Sequence, residues 1–205
     1  MIKRHTIIAV LLASTVVLSG CAAVTSGETE YVAEDVTVSS ATVADTDFTL
    51  DRSEWRNRSR DVDVAGQERT INASTYVEAY RGSDDRGAFA VLATPAISVA
   101  GQSMNPIADM SETEIIQRLE RGLDEEGDLE DLEEVGTYTV TAAGEERTVT
   151  EFTATARRGN ETAQVVIHVT KFEDGDDIVV GAGVHAAGDD AVRADVETML
   201  GGIAH

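Results

Sequence analysis

The chain has 205 residues, 42% hydrophobic and 4% aromatic, with 16 basic against 38 acidic residues and a formal net charge of −22. That balance excludes nucleic acid as a partner, which demands a basic footprint, and the apolar fraction is too high for a disordered acidic chain. The length fits one domain, and so few aromatics imply a sheet-rich core of Val, Ile, Leu and Ala.

Met1-Ile2-Lys3-Arg4-His5 is a basic start, Ile7 to Leu18 is apolar, and Ser19-Gly20-Cys21 closes the run with small residues. This order marks residues 1–21 as a secretory signal peptide. Twelve residues rising about 1.5 Å each reach roughly 18 Å, well short of a hydrocarbon core of about 30 Å, so the run does not span. Leu18-Ser19-Gly20-Cys21 resembles the lipobox of prokaryotic lipoproteins. That resemblance implies cleavage before Cys21, a lipid on its sulfur, and a folded domain tethered to the outer face of the cytoplasmic membrane. Cys21 is the only cysteine, so lipidation leaves no thiol for a disulfide, a nucleophile or a metal site. Lys3-Arg4 falls one residue short of a twin-arginine pair, so the export route stays open.

Cleavage removes Lys3 and Arg4 and leaves 14 basic against 38 acidic residues, a formal charge of −24, with Lys171 the only lysine. Such acid excess with lysine depletion resembles the protein style of salt-loving archaea. Dense carboxylates keep a surface hydrated, and at 1 M salt a Debye length of about 3 Å screens their mutual repulsion.

Residues 22–30 read as a flexible tether and 31–205 as a single domain, with 31–85 an N-terminal β extension. Val36 and Val38 give a weak strand signal, and Arg60 to Val64 and Arg69 to Tyr80 flank Ala65-Gly66-Gln67 as a β-hairpin. Ala88 to Ala93 reads as a buried strand stopping at Pro95. Ser111-Glu112-Thr113-Glu114 has the spacing of a capping box, and Ile115, Ile116, Leu119 and Leu123 follow at helical spacing. The acidic run from Asp124 to Glu134 reads as a solvated connection. Alternation around Tyr138–Ala142, Thr148–Ala156, Val165–Val169 and Ile178–Val184 predicts a four-stranded antiparallel meander. Asp189-Asp190 then opens a helix with the stripe Val192, Val196, Met199, Leu200 and Ile203. Both helices packed on the sheet predict an α+β sandwich, an antiparallel β-sheet against two helices.

The order of a strand stopping at Pro95, the Ser111 helix, the meander and the Asp189 helix looks like the PsbP-like fold over 86–205. Nearly the whole mature chain resembles a haloarchaeal lipoprotein family of unknown function. The lipobox, Ala90-Val91-Leu92-Ala93-Thr94-Pro95 with Val99-Ala100-Gly101, and Asn105-Pro106 carry that likeness. PsbP-like domains are accessory factors on membranes and generally lack catalytic residues. The resemblance therefore implies a non-catalytic binding or accessory role without a cofactor, and the lipid anchor narrows the partner to an envelope protein or a small extracellular ligand.

Three of the four asparagines, Asn57, Asn72 and Asn160, sit in N-x-S/T sequons, with Asn160 in an expected turn. Arg52, Arg56, Arg58 and Arg60 surround Trp55, the only tryptophan, as a candidate docking patch for lipid headgroups or an acidic partner. The competing reading is arginines paired with nearby carboxylates. His168 and His185 should lie directly opposite each other if the hairpin centres between Asp176 and Asp177. Two imidazoles can begin a metal site, but no third ligand is evident, and two polar residues on a half-exposed face is the plainer reading. Glu173-Asp174-Gly175-Asp176-Asp177 lacks the spacing of a calcium loop and reads as a turn. Gly101-Gln102-Ser103 resembles the start of a nucleophile elbow, but Asn105 stands where the second glycine is required. An envelope-bound hydrolase using Ser103 or the histidines is thus the alternative to a binding module.

Overall fold

The computed structural model describes residues 27–64, 66–99, 101–120, 128–158 and 161–205. The signal segment, the lipobox with Cys21, Leu123 and Asn160 lie outside the described residues. In chain order the elements are β1 (Glu28–Val32), β2 (Thr37–Val38), α1 (Ser40–Ala44), β3 (Phe48–Val64) and β4 (Gln67–Gly82). Next come β5 (Gly87–Pro95), β6 (Ser98–Val99), β7 (Gln102–Ser103), α2 (Pro106–Asp109) and α3 (Glu112–Glu120). The C-terminal part holds β8 (Asp128–Ala142), β9 (Glu145–Arg158), β10 (Glu161–Asp174), β11 (Asp177–Ala186), α4 (Asp190–Gly201) and β12 (Ile203–Ala204).

Eight strands form one mixed sheet in the order β1-β4-β5-β11-β10-β9-β8, with β3 on the other side of β4. The meander β8 to β11 is antiparallel throughout. Proline ends β5 at Pro95, having no N–H for the ladder, and β5 pairs with β4 only from Tyr76 to Arg81. The neighbouring stretch of β4, Thr70 to Ser74, is taken by β1 running parallel to it. Thus β1 and β5 share one side of β4, and Glu28 to Glu30, expected in the tether, belong to a strand.

Alternation assigns each strand a residue set to either face. On one face Phe89, Val91 and Ala93 of β5, Val179 of β11, Phe172 of β10 and Val149 of β9 pack against Val192, Val196, Met199 and Leu200 of α4 and Ile203 of β12. Two glycines of β11 let α4 sit down on the sheet. A Cβ on Gly181 would lie 2.6 Å from Ile203 Cδ1, and one on Gly183 would lie 2.4 Å from Val196 Cγ1. On the opposite face Ile178, Val180, Ile167, Val169, Phe152 and Ala154 meet Ile115 and Ile116 of α3. The capping box forms: Ser111 N–H donates to Glu114 Oε2 at 2.8 Å and Glu114 N–H to Ser111 Oγ at 3.3 Å.

Lys171 holds the segment before α3 in place. Its Nζ donates to the carbonyls of Ala108 at 3.2 Å and Met110 at 2.6 Å, at the C-terminal end of α2 where the dipole favours a cation. Lys171→Met keeps the apolar stem and removes both bonds. It is expected to lower the unfolding free energy by about 1–3 kcal/mol, read as a shift of the denaturant midpoint. An unchanged midpoint would show that the clamp contributes nothing.

The expected α+β sandwich of an antiparallel sheet on two helices is not what forms. The protein is mostly β, with a mixed sheet of eight strands and four short helices among the described residues. The meander is only half of that sheet. The hairpin expected of Arg60 to Val64 with Arg69 to Tyr80 forms within β3 and β4. The rest of β3 and the first half of β8 were not expected as strands, because they lie at sheet edges and need no apolar alternation. β3 is polar or charged at nearly every position and exposed along nearly its whole length. Asp128 to Glu134, expected in a solvated connection, is the first half of β8. Register shifts between Glu130 and Glu133 and between Glu134 and Gly136 break its ladder, as bulges do on edges.

Candidate functional site

β3 and β4 form a long antiparallel ribbon with Arg52 opposite Ala79, Arg56 opposite Thr75, Arg58 opposite Ala73 and Arg60 opposite Ile71. Directly opposed residues share a face, so the four arginines and Glu54 line one side. Trp55 stands opposite Tyr76 on the other side. The sequence patch is thereby divided between two faces. Glu54 Oε1 pairs with Arg56 at 2.6 Å and with Arg52 at 3.6 Å. Its carboxyl is held below the usual range, chiefly by the Arg56 hydrogen bond. Among the described residues no ion pair engages Arg58 or Arg60.

The opposite face carries the apolar residues. Trp55 is 44% exposed and packs on Tyr76 with ring centroids 4.9 Å apart. Leu50 joins that face because the register shift between Leu50 and Arg52 changes the parity of the strand. Val32 of β1, opposite Ser74, joins it too. The ribbon also brings two sequons into register, Asn57 opposite Ser74 and Ser59 opposite Asn72. Ser59 Oγ donates to Asn72 Oδ1 at 2.6 Å, so one sequon's hydroxyl is engaged by the other's asparagine. Asn57 is exposed and Asn72 half-buried.

The residues of the hydrolase alternative lie apart. Ser103 Oγ donates to the Asn105 carbonyl at 3.1 Å, and Asn105 is itself buried, with Nδ2 donating to Thr94 Oγ1 at 3.1 Å and to the Pro95 carbonyl at 2.7 Å. Thr94 follows Leu92 on the α3 face, whereas the histidines are on the α4 face. β10 and β11 pair with Asp174 opposite Asp177, so His168 lies opposite Gly183 and His185 opposite Val166. The two histidines are diagonal rather than directly opposed, because the turn centres between Gly175 and Asp176. Nor is their face half-exposed: α4 covers it, leaving His168 at 0% and His185 at 3% exposure.

Their geometry fixes both tautomers when the rings are neutral. His185 Nδ1 is 2.9 Å from the Ala186 carbonyl, which only accepts, so Nδ1 carries the proton. Its bare Nε2 then accepts from His168 Nε2 at 3.0 Å. His168 Nδ1 is therefore bare and accepts the Tyr138 hydroxyl at 2.9 Å. Glu151 Oε2 lies 3.8 Å from His168 Nδ1, but Arg193 grips the same oxygen at 2.6 Å and also binds Glu197 at 2.9 Å. Burial, then the His185 and Arg193 charges, push His168 down to about 4. Burial likewise pushes the Tyr138 phenol up, assisted by Glu197 and Glu151. The result is an internal chain in which all four imidazole nitrogens are engaged.

Two further buried groups escaped the sequence reading. Asp177, the first residue of β11, accepts Glu34 N–H at 2.6 Å and faces His205 Nε2 at 3.1 Å, while His205 Nδ1 meets Asp174 at 3.0 Å. Buried Glu78 accepts the Tyr80 hydroxyl, and that hydroxyl accepts Val38 N–H at 3.3 Å. Both tie distant segments to the sheet. Only sequence parity pointed at Tyr138 and Glu151, which share a face with His168 once the meander register is known. Among the described residues no group of three or more His, Cys, Asp or Glu is arranged to hold a metal ion, and no helix is long and apolar enough to cross a membrane.

No curated protein matches the chain. A family model matches residues 35–204, from just before β2 through β12, and so takes in both faces of the sheet and the ribbon. The chain belongs to the family described as a Domain of unknown function (DUF6517).

Proposed function

We propose that the protein is a lipid-anchored, non-catalytic docking module on the outer face of the cytoplasmic membrane of a halophilic archaeon. Cys21 supplies the anchor and the dense carboxylates suit the domain to brine. The observation that carries the docking role is the β3–β4 ribbon. Its outer strand is paired on one side only, with arginines on one face and Trp55 over Tyr76 on the other. An envelope protein is the partner class this surface suits.

The test uses the full chain in its membrane. Cys21→Ser should move the protein to the soluble fraction or leave it unprocessed and mislocalised; normal retention on the membrane would overturn the anchor. A photo-crosslinking residue in place of Arg58 should give one defined adduct with an envelope component, while the same probe at exposed Leu119 of α3 gives none. Equal adducts from both positions, or none from Arg58, would overturn docking through the ribbon.

A further inference from the structure

The sheet has two ends, and they differ in a way that selects a partner. At one end β8 is bulged twice, carries Asp131 at a left-handed φ of 54°, and presents Asp128, Glu130, Asp131, Glu133 and Glu134. Bulges and like charges are the usual means of blunting a strand edge. At the other end β3 keeps an unbroken register with β4 from Arg52 to Val64, with no proline and no bulge in that stretch. Its outer backbone groups are open to pairing.

Resting on the docking reading above, we infer that β3 accepts an extended acidic segment of the partner as an added strand. Main-chain hydrogen bonds would supply the affinity and alternate side chains the specificity. Arg56, Arg58 and Arg60 repeat every second residue, about 6.4–6.8 Å apart along the strand. A partner strand with carboxylates at every second position places one opposite each arginine, and opposite charges across a ladder stabilise it. Arg58 and Arg60 have no ion pair of their own among the described residues, so two of the three arginines are open to a partner carboxylate, while Arg56 would share its guanidinium with Glu54. A second copy of this chain is a poorer occupant: β3 against β3 sets two mostly arginine rows together, and the acidic β8 edge is bulged.

The test measures binding of the labelled peptide Gly-Glu-Val-Glu-Val-Glu-Gly to the full protein at about 1 M salt, where the protein's own carboxylates are screened and contact pairing still operates. Its comparators are the same peptide with alternate backbone nitrogens methylated, and the Lys-Val-Lys-Val-Lys counterpart. The acidic peptide should bind at least about tenfold more tightly than the methylated one, because only the backbone donors differ. R56E/R58E/R60E should reverse the charge preference toward the lysine peptide. Equal affinity for the methylated peptide would overturn strand addition, as would an unaltered preference in the triple variant. Should that variant fail to fold, the methylated comparison on the unchanged protein still decides. Phosphatidylglycerol vesicles binding in place of the peptide would assign the arginines to headgroups and overturn the proposal. So would dimerisation that the triple variant abolishes. An Arg58 adduct without peptide binding refutes strand addition alone; loss of the adduct refutes docking through this ribbon altogether.

Discussion

Between pH 6.5 and pH 4, His168 alone is expected to remove about 3 kcal/mol of unfolding free energy. The folded protein holds this imidazole neutral, because protonation would put a charge in a water-excluded site beneath α4, close to His185 and Arg193. The unfolded chain has no such restraint and takes the proton near 6.5. With the folded value depressed, the contribution is complete above about pH 6.5, declines as the pH falls, and is exhausted below about 4. His168→Phe cannot titrate. It begins less stable at neutral pH, since the Tyr138 hydroxyl and His185 Nε2 lose their partner, yet its stability should fall less steeply over that window. Chemical denaturation at a series of pH values reads the difference, and nitrogen-detected NMR reads the tautomers directly. A His168 ring that titrates near 6.5, or equal pH slopes for both proteins, would falsify this account.

The second large effect is packing beneath α4. Leu200 is fully buried, and Leu200→Ala is expected to cost about 2–5 kcal/mol through lost transfer energy and a residual cavity. Gly183 is the reciprocal case. Adding one methyl at Gly183 puts it 2.4 Å from Val196 Cγ1 and 3.3 Å from Phe89 Cδ2, so Gly183→Ala should cost about 1–3 kcal/mol by overpacking. The pair is coupled: Val196→Ala removes the methyl that collides, so the double variant should lose less than the two single losses combined. Strict additivity would show that the helix simply rides up off the sheet. Thermal or urea unfolding of the four proteins closes the cycle.

These two results bear on the docking proposal because they concern the face opposite the arginines and the other half of the sheet. Neither His168→Phe nor Gly183→Ala touches β3. Both should therefore leave peptide binding to folded protein unchanged, which separates stability from recognition in any variant series.

Buried strands with apolar alternation were legible because one face must be dry: the meander, the β5 run to Pro95 and the α4 stripe all follow that rule. The capping box was legible because its two bonds are local. The part of β3 before Arg60 and the first half of β8 were not, since an edge strand exposed on both faces bears no hydrophobic period. The arginines and Trp55 were grouped as one patch by sequence proximity, whereas adjacent strand residues point to opposite faces. The histidine pair shows the same limit more finely. Shared parity put both rings on one face, while the turn centre, off by one residue, made them diagonal partners.

From sequence alone come the reading of residues 1–21 as an export segment, the acid excess, the strand and helix signals that burial imposes, and the side each residue takes on its own strand. Tertiary structure alone decided that β1 lies parallel to β4 and that β3 enlarges the meander into a mixed eight-stranded sheet. It also decided that α4 buries both histidines over two glycines. Local periodicity records whether a residue needs to be dry; it carries no record of which distant strand satisfies its backbone or which helix covers it. The arginine strand is the plainest case, read first as a patch around a tryptophan and resolved by pairing into the open edge of a sheet.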